Sequence, residues 1–210
     1  MPISGVRNQF AATIFGALAL SIGSLGAPAF ALDEIPNEEE NLKACERNLC
    51  GMILSKDKAG DDLTCDISKT WAKEKIKKGA GTKSLSWGFG DARCTVDLKA
   101  KRDNIVSSLT DPEHTFKMES HTVNCLIEQK DEPTKIDVTL APIVTFKDGK
   151  ATKAQLNITK VEAPTVIKAV ITGADWIEKN VGLFHSEMLE EINEFIEKKC
   201  KKRYPDLVKK

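Results

Sequence analysis

Residues 135–161 alternate apolar and polar side chains around an Asp148-Gly149 dipeptide, and no other stretch of the 210-residue chain constrains its fold as much. On the way in, Ile136, Val138, Leu140, Val144 and Phe146 share one parity; Asp137, Thr139 and Thr145 hold the other. On the way out, Ala154, Leu156 and Ile158 alternate with Lys153, Gln155, Asn157 and Thr159. Period-two alternation marks strands with one buried face, and Asp-Gly is a strong hairpin dipeptide.

Directly opposed residues of a hairpin point to the same face. A loop of Asp148 and Gly149 alone would set Leu140 against Asn157 and mix the faces. A three-residue loop, Lys147-Asp148-Gly149, sets Leu140 against Leu156 and Val138 against Ile158, with Gly149 in the left-handed position. The pattern therefore predicts the longer loop, with Leu156 in the core and Asn157 and Thr139 outside. Pro142 cannot donate to a ladder and marks an edge, bulge or break. A sheet with one apolar face needs a cover, which favours α+β architecture with helices on one side of an antiparallel sheet.

The N-terminal residues 1–31 read as a secretory signal peptide. Arg7 precedes an apolar run broken by Gly16, Gly23 and Gly26, and Ala29-Phe30-Ala31 supplies small residues at the two cleavage positions. The run is short for a membrane span. The remaining chain, residues 32–210, reads as a single domain, exported to a periplasm or secreted. It holds all six cysteines: Cys45, Cys50, Cys65, Cys94, Cys125 and Cys200. An even count in an exported chain reads as disulfides. Cys94–Cys125, from neighbouring strands, is the favoured pair. Cys45 and Cys50 lie on different faces of a helix; pairing Cys50 with Cys65 would leave Cys45 for Cys200.

Helices are expected at about 38–54 and 68–78. Asn37 and Glu40 resemble a capping box, and Trp71 is the expected anchor of the second helix. Strands follow over about 85–161. Trp87 and Phe89 are out of phase with Cys94, Val96 and Leu98, as are Phe116 and Met118 with Val123 and Cys125. Such phase flips indicate bulges or tight bends. Residues 165–204 carry two apolar stripes at helical spacing. As one unbroken helix they would span ~60 Å, so a kink is expected near Asn180-Val181-Gly182. The fold class is α+β: an antiparallel meander of about four or five strands, covered on one face by a long, kinked C-terminal helix, with one or two N-terminal helices.

Motifs for chemistry are sparse. His114, His121 and His185 are scattered and form no metal or protease motif. Cys45-x4-Cys50 lacks zinc spacing and a companion pair. Gly88-Phe89-Gly90 has Arg93 where a dinucleotide fingerprint needs its third glycine. No cofactor and no metal are expected. Charge is balanced at 31 basic against 31 acidic residues, which does not point to nucleic acid. The basic tail, Lys198 to Arg203 with Lys209 and Lys210, suits the dipole of a helix C-terminus and permits at most a peripheral membrane contact. Asn157-Ile158-Thr159 is a glycosylation sequon on the exposed face.

The expected function is that of an exported, non-catalytic binding module holding a small apolar ligand between the sheet and the C-terminal helix. Phe116, Met118, Phe146, Phe184 and Met188 are the candidate lining. The alternative is a protein-interaction module with a filled core that works through its surface and takes a protein partner. A hydrolase-type enzyme ranks third, because no acid, base and nucleophile set stands out. Non-reducing mass spectrometry of exported protein should find no free thiol; several free thiols would overturn the reading of an oxidising compartment.

Overall fold

The N-terminal helix α1 (Glu38–Ser55) works on two faces at once. Cys45, Leu49 and Met52, at helical spacing, pack with Leu63 and Cys65 of β1 (Leu63–Trp71). Cys50 and Ile53 face the C-terminal helix α4 (residues 188–203), where Cys200 completes the contact. These positions come from a computed structural model, which describes residues 32, 35–80, 87–165, 167, 186 and 188–208. The leader at 1–31, Leu85, the expected kink at Asn180-Val181-Gly182, Phe184 and His185 lie outside the described residues.

The class is α+β. After β1 come α2 (Lys73–Ala80), β2 (Ala92–Ala100), α3 (Arg102–Thr110), β3 (Glu113–Lys117), β4 (His121–Ile127), β5 (Thr134–Leu140), β6 (Ile143–Lys147), β7 (Lys150–Gln155) and β8 (Ile158–Glu162). All pairings are antiparallel. The strands divide over two sheets, in the orders β1-β2-β4-β5-β8 and β3-β6-β7. The division was not legible in the sequence. It follows from Ala141-Pro142, where the missing proline donor ends β5 and lets β6 turn away into the second sheet.

The hairpin differs from its expected register. Its loop is Asp148-Gly149 alone, with Lys147 opposite Lys150. Both loop residues have positive φ, 50° and 75°, the geometry of a type I′ turn. The faces are brought back into phase by bulges rather than by a longer loop. Between Thr145 and Phe146 the register shifts by one residue, so that Val144 meets Ala154. The extra residue is Thr152, whose hydroxyl donates to the Thr145 carbonyl at 3.1 Å. The same device recurs between Thr139 and Leu140: Thr159 is extra and donates to the Thr139 carbonyl at 3.3 Å. Leu140 therefore faces Ile158, and Val138 faces Val161. Leu156 leaves the core and is 37% exposed, while Asn157 is exposed with φ 48° at the bend.

Other expectations also change. Residues 68–71 are strand, not helix, because they complete the ladder to β2, and Trp71 ends 39% exposed rather than anchoring a helix. Trp87 and Phe89 form a loop, their rings edge to face at 5.2 Å. Helix α3 was not expected at all. Asn37 is left-handed and makes no side-chain cap. Instead, Glu38 folds back onto the edge strand and accepts the Thr70 amide and hydroxyl, each at 2.7 Å.

Cys94 and Cys125 are direct cross-strand partners and form the favoured disulfide. The other pairings are Cys45–Cys65 and Cys50–Cys200, the reverse of the assignment considered. Five residues turn a helix by about 140°. That rotation sends Cys45 to the sheet and Cys50 to α4, so a Cys50–Cys65 bond would need α1 rolled on its axis.

The two ends of the large sheet are covered differently. Ala92, Ile127 and Ile136 pack with Ile167. Leu63, Leu98 and Ala100 face α1 and α3. Helix α4 covers the second sheet: Asn193 accepts the Ala151 amide (2.8 Å) and donates to its carbonyl (3.0 Å), acting as a one-residue partner for the edge of β7.

Burial alone would raise the pKa of the Glu38 carboxyl, yet the hydrogen bonds from Thr70 and Lys69 outweigh it and hold the group below the ordinary value of 4.5. A carboxylate with a depressed folded pKa stabilises above its unfolded pKa and loses that stabilisation as pH falls through the folded one. Glu38→Gln should therefore cost about 1–3 kcal/mol in urea titrations at pH 7. The gap to the parent should close as pH drops below about 4.5.

Candidate functional site

An apolar pocket of about 450 Å³ lies where α1, α3, both sheets and α4 converge. Leu49 and Ile53 of α1 form one wall, and Leu63, Leu98 and Ala100 of the large sheet another. From the second sheet come Phe116, Val144 and Phe146, with Met118 just beyond β3. Helix α4 closes the site with Ile192, Phe195 and Ile196, and its Glu191 reaches the rim. Of the expected lining, Phe116, Met118 and Phe146 meet here. Met188 is half-buried elsewhere on α4, and Phe184 is outside the described residues.

Each wall has a local cause. The short helix α3 starts where Asp62 accepts the Arg102 amide (3.0 Å) and the Lys101 ammonium (2.8 Å). These bonds hold the Asp62 carboxyl below its ordinary range, with the Lys101 hydrogen bond the largest cause. Helix α3 then presents Ile105, Ser108 and Leu109 to the pocket. Ser108 spends its hydroxyl proton on the Asn104 carbonyl one turn back (2.8 Å). On α4, Phe195–Lys199 is a π-turn, closed by the Cys200 amide on the Phe195 carbonyl. The wider turn brings Cys200 against Cys50 while Phe195 and Ile196 stay in the pocket wall. Such turns are frequent at functional sites.

The rim is charged. Lys199 reaches Glu191 at 2.7 Å and Glu194 at 3.0 Å. The two carboxylates hold the Lys199 ammonium above its ordinary range, through hydrogen bonds first and charge second. The C-terminal segment is tied to α1 by ion pairs of both polarities: Arg203 of the basic tail binds Glu46 at 2.7 Å, and Arg47 of α1 binds Asp206 while lying over the Tyr204 ring.

The described histidines serve the fold. Asn104 donates to the Lys117 carbonyl, which leaves its Oδ1 to accept from His114 Nε2 at 2.6 Å. His121 is buried. Its Nε2 accepts the Lys99 amide (2.9 Å), which places the proton on Nδ1, donated to the Glu119 carbonyl (2.5 Å). With both nitrogens engaged, it has no free position for acid–base work. No group of three or more His, Cys, Asp or Glu among the described residues is arranged to hold a metal ion.

Elsewhere the surface carries polar grooves. One of about 710 Å³ lies on the large sheet, with Asp66 directly opposite Asp97 and the buried Ser68 beside them. Among the described residues the Ser68 hydroxyl has no hydrogen-bond partner. Comparison with protein-family models, with the curated proteins and with the solved structures finds no match to the chain.

Three lining residues were legible from strand parity. Leu49, Ile53, Ile105 and Leu109 were missed as lining, although Leu49 and Ile53 stood out in the periodicity of α1. Truncating Phe146, 6% exposed in the pocket wall, to alanine should cost about 3–5 kcal/mol in urea unfolding. Leu156→Ala should cost only about 0.5 kcal/mol. A large Leu156 effect would restore the register expected from the sequence.

Proposed function

We propose that this protein is an exported, non-catalytic carrier that holds one small apolar ligand in the pocket between α1, α3, the two sheets and α4. The observation that carries the reading is the pocket itself. Its volume of about 450 Å³ falls in the usual range for small-molecule sites, ~300–1,000 Å³, and its lining is almost wholly apolar. A small apolar ligand seated there would bury its surface against these side chains.

Three disulfides are consistent with an oxidising, extracytoplasmic compartment, which supports reading residues 1–31 as an export signal. No helix among the described residues is long and apolar enough to cross a membrane. A carrier in such a compartment gains from stapling. The Cys50–Cys200 bond closes a loop with a sequence separation of 150, worth about 4–5 kcal/mol on chain-entropy scaling, and it anchors the helix that forms one wall.

Native mass spectrometry of the purified protein, with organic extraction of the same sample, tests the reading. The expected result is one apolar molecule per chain. After extraction, a neutral fluorescent apolar probe should bind with unit stoichiometry, and Val144→Phe should weaken it. An empty protein that takes up no such probe would defeat the proposal.

A further inference from the structure

The rim charges and the spent donors of the pocket say what chemistry its ligand can have. We infer that the ligand is uncharged, of the class of long-chain alcohols, and that anionic amphiphiles such as fatty acids are excluded. This rests on the carrier reading above.

Among the described residues lining the pocket there is no lysine, arginine or histidine. A carboxylate or phosphate carried inside would lose its hydration and meet no cation, and an unpaired charge in apolar surroundings is strongly disfavoured. Nor does a lining side chain offer a free donor. The Ser108 proton is committed to the Asn104 carbonyl at 2.8 Å. What Ser108 retains is acceptor capacity, which suits a ligand that brings its own hydroxyl proton.

The rim reinforces this selection. Glu191 lines the pocket, and the nearby cation, Lys199, is shared between it and Glu194. Glu191 is the one charged side chain among the described lining residues, so the pocket wall presents a negative and no positive charge. An anion entering past Glu191 meets like charge, and the Lys199 ammonium beside it is already paired.

The test uses the extracted full-length protein and two probes of equal chain length, dodecanol and dodecanoate, each displacing a neutral fluorescent reporter at neutral pH. Dodecanol should bind at least about ten-fold more tightly, a difference near 1.4 kcal/mol. Glu191→Lys, at a side chain 70% exposed, should narrow that ratio by about ten-fold, because it places a cation at the rim. Dodecanoate binding as tightly as dodecanol, or a ratio unmoved by Glu191→Lys, would overturn the ligand class while leaving a carrier in place. Failure of both probes and of the reporter would remove the carrier reading as well.

Discussion

Helix α1 is clasped on two faces, and the rest of the structure depends on that clasp. Cys45 ties one face to the large sheet, and Cys50 ties another to the C-terminal helix. Because the two cysteines are about 140° apart around the helix, the bonds pull in different directions. The helix cannot roll, and the sheet and α4 are held apart at the distance its diameter sets. The space left beside it, roofed by α3 and the second sheet, is the pocket. The disulfides supplement a core the chain could bury without them; they make one wall of that core a permanent part of the frame.

The polar chemistry of the molecule is largely spent on holding those elements in place. Asp62 starts α3, Glu38 closes the free edge of β1, Asn193 covers the edge of β7, and His121 satisfies an amide of β2 beyond its ladder with β4. Each partner lies far away in sequence, so each bond closes a loop of the chain. What remains facing the pocket is aliphatic and aromatic, with one serine already satisfied and one glutamate at the rim.

Much of the fold could be read from local pattern. Helix α1 and the strand parities of 135–161 were legible because amphipathic periodicity is local. The Cys94–Cys125 pair followed from placing two inward residues on neighbouring strands. The hairpin register was misread because parity was assumed to be conserved through the whole strand. Two single-residue bulges, each centred on a threonine that donates across the ladder, restore the phase after a two-residue turn. Helix α3 was missed because it is short and its start is set by Asp62, some forty residues earlier. Residues 68–71 were taken for helix because the pairing that makes them strand comes from β2.

By itself the sequence determined the α+β class, the presence of an apolar sheet face that needs covering, and an even set of cysteines suited to an oxidising compartment. These follow from periodicity and composition, which act over a few residues. Tertiary structure alone decided which cysteines pair, that the strands divide over two sheets, and that an apolar pocket remains beside α1. Those outcomes depend on closing loops of tens to more than a hundred residues, where the rotation of one helix or the placement of one bulge chooses between arrangements that local pattern leaves equivalent.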